Sequence, residues 1–245
     1  MVHRNRATGA RPVLCGALAL SAFGLEPALA DVFEMPAGLV SIEFVRVGHP
    51  GNPGELSGSA VGGYGPTRIC GAVDYPFEIA KHEVTAAQYT EFLNAVAKTD
   101  TYNLWSFPLP SEGPGIVRAG VPGNYVYSVT PDWANRPVNW INWGAAARFA
   151  NWLENGQPIG GQGPATTEDG AYAMNGAMND FDLLVPVRKT GARYALPTED
   201  EWYKAAYHKN NGPTGDYWKF AAQSDAVPSN DVLNPDPGNN ANYND

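Results

Sequence analysis

The sequence predicts an α+β domain rich in loops, with two to three helices packed on short antiparallel strands. Three observations carry that prediction. Apolar residues recur at helical spacing behind recognisable capping residues in three places, short stretches alternate apolar and polar residues at strand spacing, and Gly 27 with Pro 21 forces the chain to turn often between them. With 44% hydrophobic residues and seven tryptophans there is material for a core, pinned by a few aromatic anchors.

The first thirty residues read as an export leader. Arg4, Arg6 and Arg11 precede an apolar stretch from Val13 to Leu25, and Ala28-Leu29-Ala30 offers the small residues a peptidase needs to cut before Asp31. The stretch is shorter than the roughly 20 residues of a membrane-spanning helix. A domain over 31–245 then follows, expected in the periplasm or outside the cell. Export implies an oxidising compartment, yet of two cysteines only Cys70 lies beyond the leader, so no intrachain disulfide is expected there.

The formal net charge is −9, and losing Arg4, Arg6, Arg11 and Glu26 with the leader makes it more negative. This balance excludes nucleic acid and anionic membrane surfaces as partners.

Val40, Ile42 and Phe44 alternate with Ser41 and Glu43, a half-buried strand whose phase slips near Val45, where a bulge or the strand's end is expected. Residues 48–65 are dense in Gly, Pro and Ser and read as a loop, and 73–79 reads as another short strand. A helix follows: Thr85 caps it, Gln88 completes the capping box, and Tyr89, Phe92, Leu93 and Val96 share one face. Residues 101–135 read as an ordered loop with a strand over 124–129. Asn142 caps a second helix running to Asn155, with Gly156 in the left-handed position just past its end. Its buried stripe is Ala145, Phe149 and Trp152, widened by Ala146, Ala150 and Leu153. A polar connector over 157–182 leads to the third helix, where Pro197 stops a strand, Thr198 caps, and Glu201 returns a bond to the cap. That helix is expected to end near His208. Tyr217, Trp218 and Phe220 anchor the tail.

Three stretches, in this order, resemble the sulfatase-modifying-factor, or formylglycine-generating-enzyme, family. They are Ile79 to Leu93 with its Glu83-Val84-Thr85 and Phe92-Leu93, Arg136-Pro137-Val138 through Trp143 into Ala147 to Leu153, and Leu196-Pro197-Thr198-Glu199 to Trp202. Gly156-Gln157-Pro158 and Thr167 to Tyr172 are similar to a secreted bacterial branch of it. The resemblance implies a C-type-lectin-like fold. It also implies oxidation of a sulfatase cysteine to formylglycine, with oxygen and a copper ion held by two cysteines near the C-terminal end. The family's Gly-Asn and Trp-Glu-Trp region and closing strands do not follow before Asp245, so the chain is expected to be the N-terminal part of such a domain.

A thiolate pair is what holds Cu(I), a soft ion, and Cys70 alone does not supply one. No catalytic and no cofactor-binding residue is therefore assigned, and copper is expected only where a further C-terminal part carries the pair. Cys70 itself reads as a small buried residue. Asn242 and Tyr243 resemble the family's calcium step, in which the Asn side chain and the next carbonyl bind the ion, so calcium is the candidate cofactor there. His49, His82 and His208 show no spacing for zinc, and no Gly-x-Ser-x-Gly, Walker or dinucleotide motif is present. Glu199 and Glu201 sit at a helix start that favours their ionised forms, which argues against an acid and base pair.

Two functions follow from these residues. One is an exported sulfatase-modifying-factor-like protein, inactive as an oxidase as it stands, with a sulfatase or another exported protein as partner. The alternative is a non-catalytic binding or assembly module whose aromatic loops hold a glycan or a protein.

Overall fold

The computed structural model describes residues 2–4, 32–33, 41–57, 68–106, 115–230 and 238–241. They form an α+β architecture of short antiparallel strands and helices joined by long loops, in two compact units. The first unit takes Met1–Arg46 and Glu78–Leu196, the second Val47–Phe77 and Pro197–Asp245.

The first unit is built on a five-stranded sheet of β1 (His3–Arg4), β2 (Val32–Phe33), β3 (Ile42–Val47), β6 (Phe77–Ala80) and β9 (Tyr194–Ala195), in the spatial order β2-β3-β6-β1-β9. β1 runs antiparallel to both neighbours, His3 facing Ile79 and Ala195. This strand lies within the segment that the sequence marks as a leader. β3 keeps strand geometry through Val47, where a bulge or an end near Val45 was expected; Arg46 simply turns outward to solvent. The strand expected over 73–79 is confined to Phe77–Ala80.

Two helices cover the sheet. α1 (Ala86–Val96) starts at the expected capping box, with Gln88 N–H donating to Thr85 Oγ1 at 3.2 Å and Thr85 N–H to Gln88 Oε1 at 2.8 Å. α3 (Trp143–Glu154) starts at Asn142, whose Oδ1 accepts from Ala145 N–H at 2.8 Å, and stops at Gly156 with φ of +81°. The expected faces meet in the core: the Phe92 ring lies 5.2 Å from Phe149, edge on, and 5.3 Å from both Tyr89 and Trp152. Val2, Ile42, Phe44, Ala80 and Tyr194 close this core from the sheet side. Each such aromatic pair adds about 0.5–1.5 kcal/mol beyond its area burial.

The loop expected over 101–135 holds more order than its composition suggests. β7 (Ile116–Ala119) and β8 (Val126–Val129) form a hairpin, and the single-turn α2 (Pro131–Ala134) follows. Asn94 on α1 clips β8 by bonding both the Tyr127 N–H and C=O, each at 2.9 Å.

The connector over 157–182 is likewise packed. Thr166, Thr167 and Glu168 all donate backbone N–H to the Gly163 carbonyl, making a wide π-helical turn over Pro164–Glu168. Ala171, Tyr172 and Met174 then pack against Ala147 and Ala150, the small-residue side of α3.

In the second unit, β4 (Glu55–Ser57) pairs antiparallel with β5 (Arg68–Cys70), placing a strand within the loop expected over 48–65. α4 (Glu199–Tyr207) begins at the Thr198 capping box and ends at His208 as expected. Gly71 has φ of +89°, and a Cβ there would meet Tyr217 Oη at 2.7 Å, so glycine serves both backbone and packing at this point. The Tyr217 hydroxyl reaches the Pro53 and Gly71 carbonyls at 2.9 and 3.0 Å and accepts from Asn52 Nδ2 at 2.6 Å. Burial pushes its pKa up to about 12.

Candidate functional site

The segment between α2 and α3 forms a strap along the entry to α1, bridging Thr85 through Pro137. Its Arg136 carbonyl accepts from Ala86 N–H at 2.8 Å, and Val138 N–H donates to Val84 O at 2.9 Å, so backbone bonds hold it at two points. Between these anchors and the Asn142 cap sits Trp140, with φ of +58° and 46% exposure. A bulky side chain rarely adopts this backbone conformation, which costs about 1–2 kcal/mol. The strap walls a shallow cleft lined by Trp140, Trp133, Trp105, Leu104 and Ile116. Trp105 is fixed in it: its Nε1–H donates to Ile116 O at 2.7 Å, and the Arg118 guanidinium lies 4.1 Å over its ring. Arg118 is in turn paired with buried Asp100 at 3.1 Å.

A second cavity, of about 190 Å³, shares Tyr89, Val138 and Ile141 with that cleft and is lined further by Val2, Val84, Phe149 and Leu196, with the exposed Glu83 among its walls. Tyr89 is committed to the fold: its hydroxyl donates to Leu104 O at 2.9 Å, and burial drives its pKa upward. These walls are apolar and aromatic with few polar groups. They suit binding rather than proton transfer.

The residues singled out by sequence fall elsewhere. Asn242 and Tyr243 lie outside the described residues. Cys70 is 3% exposed on β5, as expected of a small buried residue. Glu199 pairs with Arg68, while Glu201 is buried, accepts from Thr198 N–H at 2.7 Å and from the Tyr75 hydroxyl at 2.6 Å, and so is a structural cap. His49 and His208, distant in sequence, have ring centroids 6.3 Å apart. The His208 ring is already used: Nδ1 accepts from Asn210 N–H at 3.0 Å, which places the hydrogen on Nε2, 3.0 Å from Thr214 O. No group of three or more His, Cys, Asp or Glu that could hold a metal ion occurs among the described residues. A copper site built on two thiolates does not fit a donor set with the single thiol of Cys70 among the described residues.

Sequence reasoning missed one buried ionic group. Arg148 on α3 is 1% exposed and forms a two-pronged pair with Glu168, Nε to Oε1 at 2.6 Å and Nη2 to Oε2 at 2.9 Å. Arg148 Nη2 also donates to Ala177 O, and the guanidinium stacks 4.4 Å from the Tyr102 ring. Gly176 N–H and Thr167 Oγ1 donate to the carboxylate. Every charge is answered from within the fold, so this group staples the connector to α3. The available signal was the arginine's position between Ala147 and Phe149, inside the apolar stripe.

The family model for the sulfatase-modifying factor enzyme 1-like domain matches residues 68–241, a span running from β5 past α4. No curated protein and no solved structure gives a match.

Proposed function

The chain belongs to the sulfatase-modifying factor enzyme 1-like family, and from that premise we propose that it is an exported member of the family that does not oxidise sulfatase cysteines as it stands. The observation that carries this reading is the cysteine inventory. Of two cysteines, Cys15 sits in the apolar leader-like stretch and Cys70 is buried in β5. A copper-held thiolate pair has no source in these residues. The charged leader start, the apolar stretch and Ala28-Leu29-Ala30 support export.

The test is incubation of the copper-loaded full chain with oxygen and a cysteine peptide taken from a sulfatase. The expected mass spectrum shows unchanged cysteine and no hydrazide-trapped aldehyde. Formylglycine above the protein-free control would falsify the reading.

A second reading, a binding module with a glycan or protein ligand, is favoured by Trp140, which keeps a strained backbone while it lines the cleft and stays 46% exposed. A glycan array probed with the full chain addresses it. Signals that vanish in Trp140→Ala would support this reading, and an array without signals would count against a glycan ligand.

A further inference from the structure

β1 occupies an unusual place for a segment read as a removable leader. It lies in the sheet interior, with His3 opposite Ile79 and Ala195 and Arg4 opposite Glu78 and Tyr194. Val2, just before it, is 1% exposed in the main core, and its carbonyl accepts from Ala80 N–H at 2.9 Å. The His3 side chain is 2% exposed, its Nδ1 standing 3.4 Å from Arg188 Nη1.

β6 and β9 are both antiparallel to β1 and therefore run parallel to each other, held one strand apart. Adjacent strands pack about 4.8 Å apart, so the gap is roughly 9–10 Å, too wide for direct pairing. Removing β1 leaves its ladder partners on β6 and β9 without their bonds inside the fold, which is costly unless another backbone enters.

We propose that the gap between β6 and β9 is a strand-acceptor groove. The chain's own Val2–Arg4 fills it while the leader is attached, and after cleavage it takes an extended segment of a partner polypeptide. This rests on the export reading above. The partner strand runs antiparallel to both walls and places an aliphatic side chain where Val2 sits. The cavity of about 190 Å³ beside Val2 leaves space for a side chain larger than valine. Main-chain bonds supply affinity and that one position supplies selectivity, as in other cases of strand addition.

The probe is a labelled peptide copying residues 1–10, titrated against the full-length chain and against the chain recovered after export. Saturable binding to the exported chain, and none to the full-length chain, is the expected result. A leucine at the Val2 position of the peptide should tighten binding about fourfold, and an aspartate there should abolish it.

An exported chain lacking residues 1–30 that fails to bind the peptide, or binds the aspartate version equally well, overturns the groove. Mass spectrometry of the exported chain separates the two claims, since retention of residues 1–30 sinks the export reading alone. In that event the full-length Val2→Ala chain, whose own strand is loosened without an added charge, decides. Peptide binding to this variant but not to the parent sustains the groove, and equal absence of binding ends it.

Discussion

A guanidinium in the middle of an alanine-rich helix is tolerable only when its charge and its donors are answered, and Arg148 has both answered by Glu168, the Ala177 carbonyl and the face of Tyr102. Removing one partner strands the other in an apolar surround, which is the expensive case. Glu168→Gln is therefore expected to destabilise the protein by about 3–5 kcal/mol in urea unfolding, while the double variant Arg148→Met, Glu168→Leu recovers most of that loss. A Glu168→Gln chain within about 1 kcal/mol of the parent would mean that water reaches the pair. Lys204 poses the same question, with no carboxylate among the described residues bonded to it. It is 2% exposed, its Nζ donates to His49 O at 2.9 Å, and burial lowers its pKa below the usual lysine value. With a folded pKa below the unfolded one, the unfolded chain holds the extra proton between the two values. Stability must then rise with pH from the lowered value up to the ordinary lysine range near 10.5. Lys204→Met should flatten this alkaline rise in pH-dependent thermal melts, and an unchanged slope would remove Lys204 as its source.

The strap from Arg136 to Asn142 is held at its start by the backbone bonds of Arg136 and Val138 and at its end by the Asn142 helix cap, so its middle has little freedom to relax. Trp140 absorbs the geometry at φ of +58°. Glycine is at ease there and alanine is not, so Trp140→Gly is expected to be more stable than Trp140→Ala by about 1 kcal/mol, although both lose the same ring. Equal melting of the two variants would show that the strap relaxes and that no strain is stored. Elements like α1, α3 and α4 were legible in the sequence because cap, stripe and stop coincide: Thr85 with Gln88, Asn142 with Gly156, Thr198 with Glu201. The strap's left-handed tryptophan was not legible, since nothing local favours that conformation and only the two anchored ends impose it. β7 was missed for a related reason. Ile116 to Ala119 alternates too briefly to stand out, and what makes it a strand is its antiparallel pairing with β8 rather than its own composition. The π-helical turn at Pro164–Glu168 hid behind a polar composition, because its threonines and glutamate are buried by hydrogen bonds rather than by apolarity. The cleft itself was foreseen only as aromatic loops, without the strap that shapes it.

Each unit draws on two separate stretches of chain, so no linker of distinctive composition marks the division and the sequence reads as one domain. The two differ in what holds them. Both clusters of buried apolar side chains among the described residues belong to the first unit, where α1 and α3 press aromatic faces against the sheet. The second relies on polar ties: Asn52 to Tyr217, Tyr75 to Glu201, Lys204 to His49 and Gly71 N–H to Asp200. A hydrogen bond adds only about 0.5–1.5 kcal/mol net, because the unfolded chain makes the same bond to water, whereas apolar burial grows with every contact in a cluster. Local opening should therefore be cheaper in the second unit. In hydrogen exchange followed by mass spectrometry, amides near Phe92 and Trp152 are expected to be the last to exchange, and those of α4, β4 and β5 to exchange earlier by at least tenfold. Protection in α4 equal to that in α1 would instead place the stability of the second unit in interactions other than these side-chain ties.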